Sequence, residues 1–111
     1  MILATVKRGD TWNFIFNWKS GNTPIDLTDC TARMQVRKKK LGTLLASVTT
    51  EDGGITITAE DGKVSVSFPA SATDACEPGT HSTDLEITFT STGEVRSSET
   101  MDLVVLEDIS R

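Results

Sequence analysis

Seven residues, Trp12-Asn13-Phe14-Ile15-Phe16-Asn17-Trp18, place an aromatic ring at every even position and asparagine at two of the three odd ones. In an extended chain, residues i, i+2 and i+4 share a face. Trp12, Phe14, Phe16 and Trp18 therefore point the same way, opposite the asparagines. A row that apolar reads as the inner face of a half-buried strand. It predicts Phe14 and Phe16 in a core, with the end member Trp18 partly exposed. The competing reading is a sugar-stacking platform. The two tryptophans stand about 20 Å apart in a strand, with both phenylalanines between them, which favours core.

The same period of two recurs along the chain. Ala32, Met34 and Val36 alternate with Thr31, Arg33, Gln35 and Arg37, and Ile55, Ile57 and Ala59 alternate with threonines. Val64, Val66 and Phe68 alternate with serines. Thr83, Leu85, Ile87 and Phe89 alternate with Asp84, Glu86 and Thr88, and Met101, Leu103 and Val105 close the series. Threonine, whose branched Cβ suits a pleated surface, is abundant throughout. Between the runs stand Ser20-Gly21-Asn22, Asp52-Gly53-Gly54, Asp61-Gly62 and Thr92-Gly93, the residue types that turns require. Asp61-Gly62, flanked by alternating runs, predicts a hairpin. Only the stretch 69–76 breaks the rhythm, and it reads as one short helical turn near residues 70–76. Strands spaced every 8–12 residues or so predict an all-β fold, an antiparallel immunoglobulin-like β-sandwich of about eight or nine strands. With 111 residues, the chain has the length of one domain, 1–111.

The net charge is −5 and the pI about 4.7, which argues against a nucleic-acid or anionic-membrane partner. No apolar run approaches the roughly 18 residues needed to span a bilayer. The opening Met1-Ile2-Leu3-Ala4-Thr5-Val6-Lys7-Arg8 has its charges after its apolar stretch, the wrong order for a signal peptide. Cys30 and Cys76 are expected to be free thiols in a reducing compartment, with a disulfide as the alternative in an oxidising one.

Few constellations could carry chemistry. The one histidine, His81, shares the inward parity of Thr83 and Leu85, whereas Ser82 and Asp84 point the other way, so no triad is suggested. No catalytic residue, cofactor or metal ligand is expected. Glu51-Asp52 and Glu60-Asp61 lie in turns without the spaced ligands of a calcium loop, and one histidine with two distant cysteines does not make a zinc site. Arg8-Gly9-Asp10 spells an integrin-type tripeptide, but it has a structural explanation as a turn before the aromatic strand. The run Arg37, Lys38, Lys39 and Lys40 is the one cluster of like charge and the candidate interface with an acidic partner. Charges there would also discourage edge pairing.

Four stretches in order carry a resemblance: Lys7–Phe14, Pro24–Ala32 leading to Val36-Arg37-Lys38, Gly79–Ile87, and Val104–Arg111. They resemble small bacteriophage and prophage virion proteins, similar to the N-terminal β-sandwich domain of baseplate upper proteins. The resemblance implies a noncatalytic structural protein of a phage tail, baseplate or neck. It would be a virion component made in the bacterial cytoplasm, acting through contacts with other phage structural proteins and as a homo-oligomer or ring in the particle. It supplies no catalytic or ligand residues. The alternative is a small ligand-binding module of carbohydrate type, using Trp18 and the acidic turns.

Overall fold

The computed structural model describes residues 2–39 and 42–107. Eleven strands are formed among them: β1 (Ile2–Lys7), β2 (Trp12–Asn17), β3 (Lys19–Ser20), β4 (Thr23–Pro24), β5 (Cys30–Lys38), β6 (Leu44–Thr49), β7 (Ile55–Thr58), β8 (Lys63–Phe68), β9 (Gly79–Phe89), β10 (Glu94–Ser97) and β11 (Met101–Leu106). The protein is all-β apart from a 3-10 turn at Ala59–Asp61 and one helical turn, α1, at Ala70–Thr73. The strand number exceeds the expected eight or nine because β3 and β4 are separate two-residue elements of one small hairpin. No helix among the described residues is long and apolar enough to cross a membrane.

The strands form a six-stranded sheet in the order β1-β11-β9-β5-β6 with β10 added alongside β9, a three-stranded sheet β2-β8-β7, and the β3-β4 hairpin. Long β9 organises the larger sheet. One edge pairs with β5 from Lys38 opposite His81 to Cys30 opposite Phe89. Its other edge is shared by β11, opposite residues 79–83, and β10, opposite residues 86–89. Pairing is antiparallel throughout except for β1, which runs parallel to β11.

Alternation in the sequence becomes burial in the fold. Met34, Val36, Leu85, Ile87 and Leu103 from the larger sheet are fully buried, as are Val64 and Phe68 from the smaller one, and all belong to one hydrophobic cluster. Phe68 sits at its aromatic centre. Its ring centroid lies 5.9 Å from that of Trp12 and 6.3 Å edge-on from that of Phe14, the tilted geometry that ring quadrupoles favour. Phe14 is buried as expected, whereas Phe16 and Trp18 are half-buried against the same cluster. Opposite Trp18 stands Gly62, whose carbonyl accepts the Trp18 N–H.

Gly62 is required by the backbone. It has φ +62°, and a Cβ there would overlap the carbonyl oxygen of Trp18 and come within 2.9 Å of that of Ile25. The expected hairpin at Asp61-Gly62 is present, but its turn includes Ala59, which the alternation had placed in the strand. Ala59 leaves the strand because its carbonyl accepts from both Leu27 N–H and Gly62 N–H. The helical turn is confined to residues 70–73, with Asp74 as its C-cap and Cys76 N–H bonded back to Thr73. The buried polar side chains are all satisfied. Thr73 donates to the Asp10 carbonyl at 2.6 Å, Thr83 donates to that of Gln35 at 2.8 Å, and His81 Nε2 lies 2.7 Å from that of Glu77.

Candidate functional site

Central strands β5 and β9 turn alternate side chains away from the core. Arg33 lies opposite Glu86, Gln35 opposite Asp84, and Arg37 opposite Ser82. Cations thus line one strand and carboxylates the other, with a groove of about 300 Å³ between them, also bordered by Thr83 and Thr100. Arg33 and Glu86 close a 3.0 Å ion pair across the strands. Arg37 turns along its own strand, donating to Gln35 Oε1 at 3.1 Å and to the Gly42 carbonyl at 2.9 Å.

That turn leaves Asp84 exceptional. It is half-buried, yet accepts no side-chain hydrogen bond and closes no ion pair among the described residues. Burial and then the neighbouring Glu86 carboxylate raise its pKa above the usual carboxylate value, and the charges of Arg33 and Arg37 only partly oppose them. The groove therefore holds an unpaired acceptor between two guanidiniums whose hydrogen-bonding capacity is only partly used. The groove thus sets guanidinium donors and a carboxylate acceptor side by side.

The described residues of the basic run each have a partner or border a groove. Lys38 pairs with Glu77, Lys39 with Asp102 at 3.0 Å, and Arg37 borders the groove. Lys40 lies outside the described residues. Lys38, Lys39 and His81 line a second, more open hollow of about 520 Å³ with the 77–80 segment. Lys38 and its hydrogen bond hold the Glu77 carboxyl below the usual carboxylate value. His81 is buried, as its parity required, with Nε2 committed to a backbone carbonyl.

The other motifs are absorbed by structure. In Arg8-Gly9-Asp10, Arg8 Nε donates to the Asp74 carbonyl at 2.9 Å and the Asp10 carbonyl accepts from Thr73, so the turn is tied to α1. Asp52 accepts from the N–H groups of Thr49 and Gly54, which makes it a turn residue. Among the described residues no group of three or more His, Cys, Asp or Glu is arranged to hold a metal.

Cys30 and Cys76 are free. Cys30 lies opposite Phe89, whereas Cys76 precedes the far end of β9 at Gly79. Ten strand residues, about 33 Å, separate those ends, far beyond disulfide reach. Burial pushes the Cys76 thiol up to about 11. Burial, Asp26 and Asp29 raise that of Cys30. Both changes disfavour a reactive thiolate.

Sequence reading did not single out Arg33, Gln35, Asp84 and Glu86 as a site. The signal was present as the polar parities of two strands, but it becomes a site only when those strands are known to be neighbours.

A family model described as Toastrack DUF4097 matches residues 16–103. The chain belongs to the Toastrack DUF4097 family. The match runs from β2 into β11 and includes both walls of the groove. It overturns the resemblance to phage baseplate upper proteins, because the family is one of unknown function and not a baseplate domain. The stretches behind that resemblance are short pieces of turn and alternating strand, such as Arg8-Gly9-Asp10 and Gly79–Ile87. Unrelated all-β chains use the same residues for the same backbone reasons. The implied tail, baseplate or neck role loses its support with it. A search of curated proteins finds no match.

Proposed function

We propose that this Toastrack domain is a noncatalytic protein-contact module that docks a partner protein on the outer face of β5 and β9. The observation that carries the reading is Asp84, a half-buried carboxylate with no hydrogen-bond partner among the described residues, set between Arg33 and Arg37 in the groove. A partner presenting an amine or guanidinium to Asp84, with a carboxylate beside it for Arg33 or Arg37, would match the groove in charge and geometry. The scaffold for this is a β-sandwich of immunoglobulin-like class. Support comes from the inward side chains of both sheets meeting in one cluster and from β1 running parallel to β11, which brings the two ends of the fold to one sheet edge.

The test is a photo-crosslinking residue at Gln35, installed in cells, with Ser65 on the other sheet as control. A discrete adduct with another protein at Gln35 alone, lost when Arg33 and Arg37 are both changed to Glu, supports the reading. No adduct, or one that survives the charge reversal, overturns it.

A further inference from the structure

The aromatic strand β2 is also the least protected edge of the fold. β2 pairs with β8 over all six residues in unbroken register, from Trp12 opposite Phe68 to Asn17 opposite Lys63. Its other side pairs with no strand among the described residues. The hydrogen-bond phase is set by Trp18, whose N–H donates to Gly62 at 2.7 Å. The even residues of β2 therefore exchange hydrogen bonds with β8. Asn13, Ile15 and Asn17 turn their N–H and C=O groups to the open side. All three are exposed, and Ile15 retains 63% of its surface.

Proteins guard such edges with charge, irregularity, brevity or cover, and the other edges here are guarded. β1 slips register between Ile2 and Ala4 and ends in Lys7. β10 carries Glu94 and Arg96 as an ion pair. β6 has α1 packed against it and a register slip in its pairing with β5. β7 has only four residues. β2 has no charge, no proline and no bulge.

We infer that two copies of this chain pair antiparallel through β2, joining their three-stranded sheets into one across a twofold axis at Ile15. The phase admits a second copy of the same strand. Among the symmetric registers in which odd residues supply the new hydrogen bonds, the one centred on Ile15 places Ile15 opposite Ile15, and Asn13 opposite Asn17 of the second copy. The most exposed apolar side chain on the strand is covered by its own equivalent, and the amides face each other on either side, as a closed isologous contact requires. On the inner face Phe14 comes opposite Phe16 of the second copy, which extends the half-buried aromatic row. With a net charge of −5 on each copy, an uncharged edge is also where repulsion between copies is least opposed to contact. A pairing confined to six residues falls below the roughly 800 Å² per partner of a standard interface, so it is weak and concentration-dependent. It uses a surface other than the β5–β9 groove, and either can fail alone.

The experiment is sedimentation equilibrium from micromolar to millimolar protein, with amide hydrogen exchange of Ile15 read at both extremes. The expected result is a dimer at high concentration with the Ile15 N–H protected there and exchanging freely when dilute. Ile15→Lys, at an exposed position, should keep the folded circular dichroism spectrum and abolish the dimer by setting two cations at the axis. A monomer throughout would overturn the proposal. So would a dimer indifferent to Ile15→Lys, an Ile15 N–H unprotected in the dimer, or protection that appears only on adding a different protein. None of these outcomes alters a crosslink at Gln35.

Discussion

The outer face of the six-stranded sheet carries Arg33, Arg37, Asp84, Glu86 and Asp102, whereas that of the three-stranded sheet carries Asn13, Ile15, Asn17, Thr56, Thr58, Ser65 and Ser67, with Lys63 its one charge among the described strand residues. Both faces stand over the same core, so burial does not explain the difference. On the larger sheet, opposite charges on neighbouring strands support the register, and under the proposed function they would admit a partner through matched charge. On the smaller sheet the side chains are nearly all neutral, and the open backbone of β2 would do the recognising in the proposed pairing. The two proposals thus rest on two kinds of surface, one charged and one defined by hydrogen-bond register.

The strongest way to break this comparison is to remove the core that joins the two regions. Phe68 is fully buried on β8 and touches both Trp12 and Phe14. Phe68→Ala should cost about 3–5 kcal/mol, a large share of a small domain's stability. Denaturant unfolding followed by β2 and β9 amide signals should show one coincident transition. Loss of the smaller sheet while β9 persists would mean that the two faces belong to separately unfolding units.

Most elements with one buried face were legible in the sequence, because burial on one side imposes the period of two. β2, β5, β7, β8, β9 and β11 are of this kind, whereas β6, whose buried face is only Ala46 and Val48, was not read as a strand. β10 was not legible. Glu94, Val95, Arg96 and Ser97 are all exposed, and the strand exists only because the free edge of β9 lies beside it. The groove was hidden for the same reason. Arg33 and Glu86 are 53 residues apart, and nothing local to either announces the other. The basic run at Arg37, Lys38 and Lys39, conspicuous in the sequence, is largely engaged by Gln35, Glu77 and Asp102. A local cluster of charge is visible without a fold, but its unpaired remainder is not.

A smaller effect confined to one region sharpens the contrast. Gly62→Ala places a Cβ against the Trp18 carbonyl at a positive φ, and it should destabilise by more than about 1 kcal/mol. Because Gly62 precedes β8, amides of β2 and β8 should lose more protection than those of β9. Smaller still is the Arg33–Glu86 pair, whose side chains are 50% and 31% exposed. A double-mutant cycle with Arg33→Met and Glu86→Gln should give a coupling of about 0–1 kcal/mol that falls with added salt. A coupling well above that would make the charged face a source of stability in its own right and not chiefly a docking surface.

The smallest expected effect separates the two carboxylates of the larger sheet's surroundings by the sign of their pH dependence. Asp84 has its native pKa raised above the ordinary 3.8, first by burial and then by Glu86. Folding favours its neutral acid, so its contribution to stability is full below the unfolded value and is lost as pH rises through the raised native one. Asp84→Asn is neutral at every pH. It should match wild type in acid and exceed it in Tm by a small margin at neutral pH. Glu77 is held below its ordinary 4.5, first by the hydrogen bond from Lys38 and then by that residue's charge. Its contribution is full above the unfolded value and is lost as pH falls through the lowered native one. Glu77→Gln should therefore lower Tm at neutral pH and converge on wild type in acid, and the difference should shrink in high salt because the pair is exposed. Parallel Tm curves from acid to neutral pH settle the matter. Asparagine above wild type and glutamine below it, closing together in acid, would mark Asp84 as a carboxylate held at a cost to the fold and therefore open to stabilisation by a partner's cation. If Asp84→Asn instead lowers Tm at neutral pH, Asp84 already has a partner within its own chain, and the groove loses its reason to bind another protein.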